Sequence, residues 1–197
     1  MLLLGAFTFI TACSSSPKTN TVHIYNPTKD VLILRIDGDT VPVAPNAVYA
    51  TDLLVGKHSI RFKDMVDSIP VSENQNILIN PTKSKIIKKE ILYQQQFSGQ
   101  SKVTNDDYSN PFVTIVIDSL TYGGHFIFTN DLVVTNWFFN INQPVQPTIG
   151  DSHNGWSRDG INSSLYKLYS LEELARTRPL NENASYITRV LNKHLKR

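Results

Sequence analysis

The chain predicts a mainly β fold with C-terminal helices (α+β), an N-terminal antiparallel β-sandwich followed by a mixed strand and helix part. Three observations carry this. Between Val22 and Ile79, short runs rich in β-branched residues recur about every ten residues, with turn residues between them. A polar stretch from Gln94 to Asn110 lacks apolar periodicity and separates these runs from the rest. Near the C-terminus, Ser170-Leu171-Glu172-Glu173 has the form of a helix-capping box, serine at the cap and glutamate three residues on.

Val22-His23-Ile24-Tyr25 alternates as a strand and is followed by the turn cluster Asn26-Pro27-Thr28-Lys29-Asp30. Val31 to Ile36 forms the next run, closed by Asp37-Gly38-Asp39, a hairpin signal. Val41 to Val43 precedes a Pro45-Asn46 turn. Val48 to Leu54 leads to Gly56, and His58 to Phe62 alternates again. Ile69-Pro70-Val71 and Asn76 to Ile79 complete this half. Asn-Pro-Thr-Lys occurs at 26–29 and again at 80–83, each time after a strand, and reads as one favoured turn used twice rather than as a duplicated unit. Lys83, Lys85, Lys88 and Lys89 surround Ile86-Ile87, a pattern that reads as a solvated strand edge, with contact to lipid headgroups as the alternative.

Beyond the polar stretch, Phe112 to Asp118 reads as a buried strand, and Tyr122 to Phe128 as a turn and a second strand. Leu132 to Ile141 is the most hydrophobic region after residue 12, which implies burial on both faces. Pro144 to Asp159 is loop-like. The capped helix should end before Pro179, and a second should run from Asn183 to the C-terminus, with Ile187, Val190, Leu191 and Leu195 on one face.

Of 197 residues 41 % are hydrophobic, enough for a packed core, and the net charge of +2 gives no electrostatic case for nucleic acid. The five histidines form neither H-x-H nor H-E-x-x-H, so no metal site is expected, and no cofactor-binding pattern is present. No catalytic residues are assigned. The loop Asp151-Ser152-His153-Asn154-Gly155-Trp156-Ser157-Arg158-Asp159 holds the densest mixture of reactive side chains, but adjacent residues of one loop seldom converge as a triad does. Trp137, Asp151, His153 and Trp156 are therefore ligand-contact candidates, and an envelope hydrolase using loop 151–159 is the alternative reading.

The first residues suggest an address. Leu2 to Phe9 is an apolar run too short to span a bilayer, which takes about 20 residues, and Ile10-Thr11-Ala12-Cys13 follows it. This resembles the lipobox of bacterial lipoproteins. The resemblance implies removal of residues 1–12 as a signal peptide and lipidation of Cys13, the one cysteine of the chain. Met1 to Ile10 contains no Lys or Arg, although such leaders ordinarily open with a basic segment. The expected organisation is a signal peptide (1–12), a lipidated tether (13–21), a β-sandwich (22–93), a linker (94–111) and an α+β domain (112–197). Ser14 after the cysteine is similar to an outer-membrane address. The expected partners are the membrane, through the lipid anchor, and other envelope proteins; the expected role is non-enzymatic.

Ile36-Asp37-Gly38, Pro45 and Leu53-Leu54-Val55-Gly56-Lys57-His58-Ser59-Ile60-Arg61-Phe62 together resemble the small PEGA-type β-sandwich of bacterial surface proteins, over about residues 22–80. Pro45-Asn46-Ala47 stands where that family carries its Pro-Glu-Gly-Ala signature. The resemblance implies a non-catalytic spacer or binding module.

Overall fold

The computed structural model describes residues 16–93, 108–145 and 163–177. Within them the chain is mainly β, with one short helix. In order the strands are β1 (Thr19–Asn26), β2 (Leu32–Ile36), β3 (Asp39–Val43), β4 (Ala47–Leu54), β5 (Gly56–Phe62), β6 (Met65–Val71), β7 (Ile77–Ile79), β8 (Ile86–Tyr93), β9 (Phe112–Ile117), β10 (Leu120–Thr129), β11 (Val133–Thr135) and β12 (Ser163–Ser170), followed by α1 (Leu171–Ala175).

Three four-stranded sheets lie in layers. The middle sheet has the order β11-β7-β1-β4, the N-terminal outer sheet β3-β2-β5-β6 and the C-terminal outer sheet β12-β8-β10-β9. The first interface is filled from the middle sheet by Val22, Ile24, Ile77 and Ile79. They meet Leu32, Leu34, Ile36, Val43, Ile60, Ile69 and Val71 of the N-terminal outer sheet. Alternation explains these contacts: in β2, Leu32, Leu34 and Ile36 are buried while Ile33 and Arg35 are exposed. Each aliphatic side chain buried here contributes about 1.5–3 kcal/mol.

The other face of the middle sheet carries Tyr25, Leu78 and Val134. These pack with Trp137, Ile141, Ile86 and Leu168 to join the C-terminal outer sheet. That sheet's far face holds Ile87, Tyr122, Phe126 and Tyr169 against Leu174 of α1. Consecutive residues Ile86 and Ile87 thus serve opposite faces.

The N-terminal sandwich is antiparallel with one exception. β7 enters from the outer layer through Ser72–Asn76 and pairs parallel to β1, with His23 opposite Leu78. Two sheets draw strands from both sides of 94–111. β11 pairs with β7, and β8 lies between β10 and β12.

The solvated-edge reading of the lysine cluster does not hold, because β8 is interior to its sheet. Lys88 Nζ donates to the Thr135 carbonyl at 3.0 Å and lies over the Tyr166 ring, and Lys89 Nζ lies over Phe126. Both stems are half-buried along apolar surface, and burial lowers both ammonium pKa values.

The Asp37-Gly38 hairpin has positive φ at both loop residues, 51° and 98°, the geometry of a type I′ turn between Ile36 and Asp39. The capping box forms: Ser170 Oγ accepts from the Glu173 backbone N–H at 2.9 Å, and α1 closes before Pro179. Leu132–Ile141 is a strand only over β11, since Asn136 at φ 56° turns the chain away. The proposed helix from Asn183 lies outside the described residues.

Both Asn-Pro-Thr-Lys segments end strands of the parallel pair, and both asparagines are fully buried. Asn26 Nδ2 donates to the carbonyls of Asp30, Val43 and Ala44, and its Oδ1 accepts from Thr28. Asn80 does the same for its own turn, donating to the Ser84 carbonyl and accepting from Thr82 and the Ser84 amide. A short amide can close a turn with its own side chain, which accounts for the repeat without a duplicated unit. Asn26→Ala leaves three carbonyls short of a donor and is expected to lower stability by about 2–4 kcal/mol. The check is a fall in the urea midpoint with the slope unchanged; a shift below about 0.5 kcal/mol contradicts the role given to Asn26.

Candidate functional site

A cleft of about 460 Å³ opens beside the strands that join the layers, lined by Ser72–Asn76, Asn136 and Trp137. Its walls are held from outside. Asn20 Nδ2 donates to the carbonyls of Ser72 and Gln75 at 2.8 and 2.7 Å, and Lys18 pairs with Glu73 at 2.9 Å. Asn76 Nδ2 donates to the Trp137 carbonyl at 2.7 Å. Asn74 and Asn136 both have positive φ, which asparagine tolerates better than most residues. The lining is rich in neutral amides, each able to donate and accept hydrogen bonds. Such a surface suits a polar ligand, with Glu73, paired to Lys18, the one carboxylate of the lining.

Trp137 is 6 % exposed. Its Nε1–H donates to the Val134 carbonyl at 3.2 Å, and its ring meets His23 edge-on at 5.2 Å. The indole is thus committed to the core between layers and offers no open stacking face. Burial lowers the His23 pKa, offset only in part by the Ile77 backbone. Its Nδ1 is enclosed without a hydrogen-bond partner.

Three ionisable clusters lie elsewhere. Glu90 in β8 accepts from the Ser109 and Asn110 amides at 3.0 Å each, from Asn110 Nδ2 at 2.7 Å and from Ser164 Oγ. Burial opposes its charge, but these donors outweigh it and hold the carboxyl below its usual range. The pinned segment continues into His125, whose Nδ1 lies 2.6 Å from the Asn110 carbonyl and whose ring stacks on Tyr108.

Lys167 in β12 is buried, and its Nζ donates to Asn140 O and to Glu173 Oε1 while lying over the Tyr169 ring. Burial lowers its pKa, and Glu173 offsets part of that. Glu173 Oε2 also accepts from the Asn142 amide, so the pair ties β12, α1 and the 140–142 turn together.

His58 in β5 faces an acceptor at each ring nitrogen. Nδ1 lies 2.6 Å from Asp37 Oδ2, and Nε2 lies 2.6 Å from the Leu54 carbonyl. Only the imidazolium donates to both. Burial opposes the charge, but the Asp37 hydrogen bond, the Leu54 carbonyl and the Asp37 charge outweigh it and raise the pKa. Asp37 is lowered by the His58 hydrogen bond and by the Ser59 amide.

Of the residues singled out in the sequence, the structure describes Trp137 alone; Cys13, Asp151, His153 and Trp156 lie outside the described residues. Sequence reading passed over Glu90, Lys167 and the Asp37–His58 pair, each of which has at least one partner distant in sequence: Ser109 for Glu90, Asn140 for Lys167 and Asp37 for His58. The amide cluster at 72–76 was likewise passed over, since nothing local ties it to Asn136. Among the described residues no three His, Cys, Asp or Glu side chains gather as metal ligands, and no helix is long and apolar enough to cross a membrane. Comparison with known proteins returns no matching family, no matching relative and no matching solved structure.

The clusters imply opposite pH dependences. A raised His58 pKa means that its contribution is fully present below the ordinary histidine value of about 6.5 and is lost as pH rises through the folded-state value. Urea midpoints across neutral pH should fall on the alkaline side, and Asp37→Asn should flatten that limb; an unaltered limb in the variant contradicts the pairing. A lowered Glu90 pKa means that its contribution is present above the ordinary glutamate value of about 4.3 and is lost as pH falls through the folded-state value. Glu90→Gln should destabilise the fold by about 2 kcal/mol or more and speed amide exchange at Ser109 and Asn110. Unchanged exchange at those two amides contradicts the clamp.

Proposed function

We propose that this chain is a bacterial envelope lipoprotein, held by lipid on Cys13 in the outer membrane and facing the periplasm. There it acts as a non-enzymatic structural, adaptor or binding component toward other envelope proteins. The observation that carries the reading is Ile10-Thr11-Ala12-Cys13, an aliphatic residue and two small ones ahead of the single cysteine, behind an apolar run. β1 begins at Thr19, so the tether from Cys13 reaches about 20 Å when extended at ~3.3 Å per residue. A lipidated chain of this form holds the layered β body close to the membrane surface.

Two features of the body support binding over bond-breaking. Glu90, Lys167 and His58 are each engaged by hydrogen bonds within the protein. The cleft at Ser72–Asn76 presents neutral amides, which suit recognition. One acyl chain gives only marginal attachment, whereas two or three make it stable. Expressed in a Gram-negative host, the protein should fractionate with membranes and carry lipid mass on Cys13, and Cys13→Ala should move it to the soluble fraction. Membrane retention of the variant, or an unmodified Cys13 in the membrane-bound protein, overturns the anchor.

A further inference from the structure

Six strands end the three sheets among the described residues, and five of them carry a feature that discourages pairing with another chain. β3 contains Asp39 and Pro42, β6 contains Asp67 and Pro70, and β4 contains Asp52. β11 is three residues long. The outer backbone of β12 is covered, since the Phe138 amide donates to the Tyr166 carbonyl at 2.8 Å and the Leu168 amide to the Phe139 carbonyl at 2.9 Å. β9 has none of these. Phe112-Val113-Thr114-Ile115-Val116-Ile117 contains no charge and no proline, and it pairs only with β10 among the described strands. Its outward row is Phe112, Thr114 and Val116, with Phe112 49 % and Val116 70 % exposed.

We propose that β9 is a self-association strand. Two copies of this chain pair β9 against β9, antiparallel, about a two-fold axis at Thr114. Their C-terminal outer sheets, four strands each, then form one continuous eight-stranded sheet.

The occupant is a second copy because the strand is neutral and self-complementary. Antiparallel self-pairing sets residues of one face directly opposite each other. At any edge that carries an aspartate, that arrangement also gathers like charges at the seam, whereas at β9 it gathers none. Keeping the faces matched requires partners separated by an even number of positions, because side chains alternate. The axis at Thr114 sets Phe112 opposite Val116 of the other copy, and Val113 opposite Ile115. Both large exposed side chains are then covered, as aromatic and β-branched pairs across strands prefer. An axis at Ile115 leaves Phe112 outside the pairing. The interface is isologous and closes as a dimer. It does not depend on lipid at Cys13.

Native mass spectrometry of the full chain released from detergent micelles reads the result directly. The unaltered chain should appear at twice the chain mass. Thr114→Lys sets two ammonium groups opposite each other and should return it to the single-chain mass, as should Thr114→Glu alone. Mixing the two variants should restore a dimer containing one of each. Val116→Lys, at a 70 % exposed position of β9, is the second disrupting variant should Thr114→Lys alter the circular dichroism. A single-chain mass for the unaltered protein overturns the proposal. So does a dimer that survives these substitutions, because it must form elsewhere, or one restored only by a different polypeptide.

Discussion

The parallel contact between β1 and β7 is the constraint on which the rest of the molecule depends. These two strands lie inside the middle sheet, so both of their faces must be apolar. Val22, Ile24, Ile77 and Ile79 face one outer sheet, while Tyr25 and Leu78 face the other. A one-residue slip of β7 would exchange Leu78 for its isoleucine neighbours and mismatch both interfaces at once. Close packing on both sides fixes the separation of the layers, and the amide cleft and β9 lie at their margins.

The buried polar groups follow from the same crowding. A carbonyl or charge in these interfaces requires a partner close by. Asn26 and Asn80 meet that need at the ends of the parallel pair, closing each turn with the asparagine's own amide. Glu90 and Lys167 meet it farther out, each gathering segments distant in sequence onto one charged atom group. A buried charge held in this way is strongly destabilising to break but contributes little beyond a well-packed apolar substitute. Its effect is to select one arrangement of loops. Glu90 and Lys167 are thus two polar groups of the described residues whose hydrogen bonds hold loops in place.

Several of these features were legible from local pattern alone. The Asp37-Gly38 hairpin, the Ser170 capping box and the alternation of β2 each depend on residues within a few positions of one another. The strand-rich N-terminal half was readable for the same reason. The lysine cluster was misread because Lys88 and Lys89 look like edge protection until β12 arrives to cover β8 from the far side. Trp137 was recognised as an aromatic of consequence, but only its neighbours His23 and Val134 decide that it is a core residue. Glu90 could not be read at all, since its four donors come from Ser109, Asn110 and Ser164, which no local period connects to β8.

By itself, then, the sequence determined most of the strands, though not β12, where most of them turn, and the apolar run and lone cysteine that suggest a membrane address. Periodicity and turn chemistry act over a few residues, so a linear reading captures them. Only the tertiary structure decided which strands are central and which are edges, that β7 runs parallel to β1, and which polar side chains are spent on holding loops. Those outcomes depend on which surfaces exclude water together, which is a property of the assembled layers. β9 shows both levels: its uncharged run reads in the sequence as a buried strand, but among the described strands it pairs with β10 alone and its alternate residues are exposed.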